Sequence, residues 1–268
     1  MENMFNLLNE KNNVEDNGNK NLETKNSEII FNNISFGYHP NRSIIKNLSF
    51  KLYKGKSLAI VGPTGAGKST ISKLLFRFYD PSNGEILINN KNIKDYKQLD
   101  LRRIIGIVPQ DTVLFNDTIY YNISYGKPKA TKEEIINAAK IAGIHKFIES
   151  IPDKYNTMVG ERGLKLSGGE KQRVAIARTV LKNPSVYFFD EATSALDSST
   201  EKEIIKNLEA ISRNKTTLII AHRLSTISKA DTIIVINKGN IVESGNHQKL
   251  LDENGLYADM WNKQKHLS

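Results

Sequence analysis

The sequence predicts an α/β chain built on a mainly parallel sheet, and three observations carry that reading. Short apolar runs at Leu58–Val61, Val186–Phe189, Leu218–Ala221 and Ile233–Ile236 alternate with stretches of helical pattern. That alternation is what parallel strands joined by crossover helices require. The first run leads directly into Gly62-Pro63-Thr64-Gly65-Ala66-Gly67-Lys68-Ser69, a glycine loop set between a strand and a helix. Third, the run at Val186–Phe189 ends in the paired acids Asp190 and Glu191, at the strand end where open α/β sheets bind their ligands.

Taken in chain order, Asn9 to Asn26 is rich in Asn, Lys and Glu with few apolar positions. Such a composition predicts a disordered linker, which sets residues 1–27 apart from a domain over 28–268. The glycine loop lets successive N–H groups point at one anion, and the helix expected over Ser69–Phe78 adds its N-terminal dipole. Lys68 is then in reach of β- and γ-phosphates, and the Ser69 hydroxyl is a ligand for Mg²⁺. Beyond Gln110 comes a mostly helical insert, over about 111–180. Within it Thr131-Lys132-Glu133-Glu134 forms a capping box ahead of Ile135, Ile136, Ala139 and Ile141, which share a helix face. A further helix, Gly169 to Leu181, follows Ser167 and Gly168. A hydroxyl and two glycine N–H groups at a helix start make a second anion site.

Composition sets limits. At 268 residues, with 39% hydrophobic and 25% charged residues, the chain suits one large domain with a sizeable core. No apolar run approaches the ~18 residues of a membrane-crossing helix. The chain has no cysteine, which excludes disulfides and thiolate metal sites. The net charge of +9 is spread along the chain without a dense basic run. It therefore reads as a solvated surface, part of it facing a phosphate ligand or an anionic membrane, and nucleic acid is not an expected partner.

Leu166-Ser167-Gly168-Gly169-Glu170, behind the glycine loop, resembles the signature of the ATP-binding cassette (ABC) ATPases, whose other motifs follow in family order. The resemblance runs from Ile29 to the C-terminus. It implies a P-loop NTPase fold of ABC ATPase type, with a mainly parallel core, an antiparallel β subdomain and a helical subdomain. ATP and Mg²⁺ are the implied ligands. Thr64, Gly65, Ala66, Gly67, Lys68, Ser69 and Thr70 correspond to the phosphate loop. Asp190 corresponds to the Walker B acid that holds Mg²⁺ with Ser69, and Glu191 to the residue polarising the attacking water. Gln110 matches the Q-loop glutamine, a Mg²⁺ and water contact. His222 matches the switch histidine, and Asp197 lies in the segment matching the D-loop. Tyr38 matches the aromatic that stacks on adenine, and stacking alone tolerates any base.

In such ATPases Ser167, Gly168 and Gly169 serve the ATP of a second nucleotide-binding domain, in a head-to-tail dimer. Intact motifs on both halves of the site imply a homodimer. Thr157-Met158-Val159-Gly160-Glu161-Arg162-Gly163 is similar to the X-loop of ABC exporters, which meets the coupling helices of the membrane domain. Pro109 to Ile119 is most similar to the mitochondrial and heavy-metal-tolerance half-transporters, with multidrug-resistance exporters next. The implied partner is a transmembrane domain of the same polypeptide, joined through Met4 to Glu10. The implied setting is a membrane, with this domain facing the cytosol or the mitochondrial matrix. The alternative is a soluble ABC ATPase clamping nucleic acid or a ribosome. Such proteins carry two cassettes or a long coiled coil, neither of which the sequence contains.

Overall fold

The apolar runs are buried on both faces, as strands of a covered parallel sheet must be. In the computed structural model, which describes residues 14–20, 22, 27–161, 163–192, 198–221 and 223–265, the chain opens with β1 (Ile29–Phe36), β2 (Ile45–Leu52) and β3 (Ser57–Val61). Helix α1 (Lys68–Leu75), β4 (Asn83–Ile88), β5 (Lys91–Asn92), α2 (Gln98–Ile104) and β6 (Ile105–Val108) follow. The insert holds β7 (Asp117–Thr118), α3 (Ile119–Ser124), α4 (Lys132–Ile141), α5 (His145–Ser150) and β8 (Met158–Val159). Then come α6 (Gly168–Lys182), β9 (Val186–Asp190), α7 (Ser198–Ser212), β10 (Thr216–Ile220), β11 (Thr232–Asn237), β12 (Asn240–Gly245), α8 (His247–Asp252) and α9 (Leu256–Lys265).

The central sheet has the order β12-β11-β3-β10-β9-β6. Its neighbours pair in parallel except for the edge strand β12. A second, antiparallel sheet, β2-β1-β4-β5, covers one face: Leu58, Ile60, Phe188, Leu218 and Ile234 pack there with Phe31, Leu48, Leu52 and Ile86. On the opposite face Ala59, Val61, Ile233 and Val235 meet Leu250 and Tyr257 of the C-terminal helices. Tyr187 and Phe189, also facing that way, join the core of the insert with Ile119, Ile135, Ile148 and Ile176. The period of two along β3 and β9 thus serves three apolar clusters from one sheet.

Helix α1 ends at Leu75, short of the expected Phe78, because Arg77 adopts φ 51 in the left-handed region and closes the turn. The β7–β8 ladder, Asp117 with Val159 and Thr118 with Met158, is absent from the sequence reading; two-residue strands leave no periodic signal. The Thr131 capping box forms in both directions, the hydroxyl accepting from Glu134 N–H and the Glu134 carboxylate accepting from Thr131 N–H. Thr131→Ala should therefore cost about 1 kcal/mol, read as a lowered urea midpoint with an unchanged slope.

Part of the expected linker is described. Within 9–26, the described residues 14–20 lie docked against the domain rather than free. Val14 is buried, Arg77 donates to Glu15 O (2.8 Å), and Gln98 N–H donates to the Asp16 carboxylate (2.9 Å). Asn19 and Lys20 N–H groups both reach Asp95 O at 3.1 Å. Apart from the Asp16 carboxylate, these bonds use backbone carbonyls, to which composition is blind. Met4 to Glu10 lies outside the described residues, as do Arg162, His222 and Asp197 with the segment around it. Among the described residues no helix is long and apolar enough to cross a membrane.

Candidate functional site

Strand register brings the predicted residues to one end of the sheet. Ile60 of β3 pairs with Ile220 of β10, which pairs with Asp190 of β9; Phe189 pairs with Val108 of β6. The glycine loop, Asp190, Glu191 and Gln110 therefore all emerge at the carboxyl ends of parallel strands, the crevice where α/β sheets take ligands. His222, next in sequence after Ala221, lies outside the described residues.

The loop's shape depends on glycine. Gly62 has φ 154, and a Cβ there would lie 2.0 Å from Ile236 O. Gly67, the N-cap of α1, has φ 105, and a Cβ there would meet Ile45 Cδ1 at 2.7 Å. Any L side chain at either position meets both strain and a clash. In the resulting curl, the N–H groups of Gly65, Gly67, Lys68 and Ser69 have no acceptor among the described residues. They form a concave set of donors at a helix N-terminus, a geometry that selects anions. Lys68 is buried and folds back over the loop, donating to Gly62 O (2.8 Å) and Pro63 O (3.1 Å). Burial pulls its pKa down from the ordinary lysine value, and the nearby Glu191 carboxylate opposes that shift. Ala66 and Thr70 are buried beside it, while Thr64, Gly65 and Ser69 are exposed.

The two acids differ in setting. Burial, and then the charge of Glu191, push Asp190 up to about 6. Glu191 adopts φ 48, a left-handed conformation that costs a non-glycine residue on the order of 1–2 kcal/mol. Its N–H is held by Ile220 O at 2.8 Å, so the strain fixes the side chain at the strand end. The Ser69 hydroxyl, the Asp190 carboxylate and the Gln110 amide offer oxygen donors only, which suits a hard cation such as Mg²⁺.

Ser167 and Gly168 lie exposed at the start of α6, with Gly169 buried behind them. The sequence reading missed a capping box here: Ser167 Oγ accepts from Glu170 N–H (3.3 Å), and the Glu170 carboxylate accepts from Ser167 N–H (2.7 Å). The S-x-x-E spacing was its available signal. With those donors satisfied, the N–H groups of Gly168 and Gly169 are left without an acceptor among the described residues. Gln172 was missed as well. Buried on α6, it donates to Pro109 O (3.1 Å) and accepts from Thr112 Oγ1 (2.9 Å), tying that helix to both flanks of the exposed Gln110. The segment from Thr157 to Glu161 is pinned beside Asn116–Ile119: Ile119 N–H donates to Thr157 O at 3.0 Å, and Glu161 N–H to Asn116 Oδ1 at 2.6 Å.

Tyr38 is exposed at 37% of its surface. Phe36 and Tyr79 stand nearly perpendicular to its ring, each at 5.1 Å between centroids. Its hydroxyl is 3.4 Å from Thr70 Oγ1, and the Lys73 ammonium lies over the ring, 5.0 Å from its centre.

A family model described as ABC transporter matches residues 45–194. An "ATM1-type heavy metal exporter" of Novosphingobium aromaticivorans is 56% identical over 88% of this chain and 39% of its own length. The human "ATP-binding cassette sub-family B member 6" is 54% identical over 99% of this chain and 32% of its own. The Aspergillus fumigatus "Iron-sulfur clusters transporter atm1, mitochondrial" is 51% identical over 99% and 37%. A solved structure, of a bacterial Atm1-family ABC exporter with ATP bound, superposes with a TM-score of 0.92 at 52% identity, over 98% of this chain and 47% of that one. The chain thus spans roughly a third to two fifths of the length of these curated relatives.

Proposed function

The chain belongs to the ABC transporter family, and from that premise we propose that it is the nucleotide-binding domain of an ABC exporter of the Atm1 type. ATP binding and hydrolysis in this domain power export by a membrane domain of the same polypeptide. The observation that carries the reading is the convergence of the unpaired loop donors, Lys68, Asp190, Glu191 and Gln110 at one end of the sheet. The similarity to an ATP-bound exporter at 52% identity supports it.

In this reading the N–H groups of Gly65, Gly67, Lys68 and Ser69 and the Lys68 ammonium bind the β- and γ-phosphates. Lys68 exchanges its two carbonyl acceptors for phosphate oxygens of higher charge. Thr64, Ala66, Gly67 and Thr70 shape that cradle, and Tyr38 stacks on the base. Ser69, Asp190 and Gln110 hold Mg²⁺, which when bound neutralises charge on the phosphate oxygens. Glu191 accepts a proton from, or aligns, the attacking water. His222 touches the γ-phosphate, and Asp197 belongs to the facing loop. Positioning and preorganised donors supply most of the catalysis.

Ser167, Gly168 and Gly169 complete the ATP site of a second copy, so that ATP closes a head-to-tail homodimer and hydrolysis reopens it. The Thr157–Gly163 segment meets the membrane domain, with this domain on the cytosolic or matrix side. With residues 14–20 docked beside α2, the linker approaches the domain near the far end of the P-loop helix.

The test is phosphate release and nucleotide affinity. The chain should hydrolyse ATP in the presence of Mg²⁺, and Tyr38→Ala should weaken ATP by the ~1–3 kcal/mol of one base–aromatic stack. Unchanged affinity in that variant would leave Tyr38 as a packing residue of the antiparallel sheet.

A further inference from the structure

The base-stacking reading leaves the purine edge unread, and the structure assigns a reader to it. We propose that Lys73 is a specificity-determining residue that contacts the edge of the purine at Tyr38 and favours guanine there. The inference rests on the reading of Tyr38 as the stacking residue.

Thr70 and Lys73 stand three apart on α1 and so lie on the same flank of the helix. Thr70 holds the hydroxyl end of the Tyr38 ring and Lys73 covers its face, at 3.4 and 5.0 Å respectively. Lys73 is exposed and makes no ion pair among the described residues. Its ammonium is therefore held over the aromatic ring, with no carboxylate partner among the described residues. Phe36 and Tyr79 flank the ring edge-on and bring no polar atom to it except the Tyr79 hydroxyl. Among the described residues, Lys73 is the cation placed over the Tyr38 ring.

An ammonium donates and cannot accept. Guanine presents two acceptors on one edge, N7 and O6; adenine presents the N7 acceptor beside the N6 amino donor. A lysine arriving along that edge gains both contacts with guanine, whereas with adenine one donor faces another. The flexible four-carbon stem lets the ammonium move from ring face to base edge without displacing the helix. Lys73 thus offsets whatever preference for adenine the rest of the pocket has, and GTP becomes a usable ligand.

The experiment compares ATP, GTP and inorganic tripolyphosphate binding to the chain and to Lys73→Met, Lys73→Glu and Tyr38→Ala. Both nucleotides carry the same triphosphate, so their affinity ratio is blind to the lysine's long-range pull on phosphate. Lys73→Met should shift that ratio toward ATP by about fivefold or more, through loss of GTP affinity. Lys73→Glu should shift it further, because a carboxylate accepts from the adenine amino group and repels guanine O6. Both replacements are good helix formers at an exposed position, so the fold is preserved. An unchanged ratio, or a shift toward GTP, overturns the inference. The Tyr38→Ala arm separates the two levels. If that variant weakens both nucleotides relative to tripolyphosphate while the Lys73 ratios stay flat, only the role of Lys73 fails. If it weakens neither, the base lies elsewhere and the stacking reading fails with it.

Discussion

Glu191→Gln should keep ATP affinity and lose turnover about 10²-fold or more, the usual scale for removing a general base. Affinity is kept because the phosphate contacts come from other groups: the loop N–H donors and Lys68, whose ammonium already rests on Gly62 O and Pro63 O. Glutamine fills the same volume and retains one acceptor oxygen, so water can still bind. It cannot take the proton. Removing the carboxylate also removes the negative charge that helps keep Lys68 protonated against burial, but triphosphate supplies a larger one. If hydrolysis opens the closed dimer, that dimer should accumulate with Mg-ATP and elute as twice the mass of the chain. A Gln variant that turns over ATP near the wild-type rate would remove Glu191 from its role. One that fails to bind would assign Glu191 to binding instead.

Much of this site was legible in the sequence because its chemistry is local. Gly62, Gly67, Lys68 and Ser69 form their cradle from adjacent residues, and a short strand ending in Asp190 and Glu191 announces itself by its apolar run. The sheet was legible for a related reason: strands buried on both faces read as continuous apolar runs, and four of them appear within a residue or two of their expected bounds. What escaped was tertiary or too short to be periodic. Gln172 reaches Pro109 and Thr112 across the fold, and nothing near it in sequence points there. Lys73 over Tyr38 joins two residues whose separation carries no local signal. The docked segment 14–20 has a disordered composition and yet binds through backbone carbonyls, the Asp16 carboxylate and the Lys20–Asp95 ion pair. Arg77 ended its helix by a left-handed turn at a residue type that seldom adopts one.

The central claim is that each ATP is shared, held by the glycine loop of one copy and by the start of α6 of another. In the structure Ser167 and Gly168 are exposed, and the Gly168 and Gly169 N–H groups lack acceptors among the described residues. The direct measurement is complementation between two damaged copies. Lys68→Ala removes the ammonium proposed to bind phosphate; Ser167→Arg blocks, with a bulky side chain, the serine proposed to complete the partner's site. Each homodimer is damaged at both of its sites and should be nearly inactive. In a mixed dimer of the two, both lesions fall on one ATP, and the other site keeps an intact Lys68 and an intact Ser167. Phosphate release by the mixture should therefore rise clearly above the sum of the separate preparations. Chemical cross-linking with Mg-ATP, run beside the rate assay, should show the mixed dimers forming. Mixed dimers that form while phosphate release stays flat would contradict the shared site.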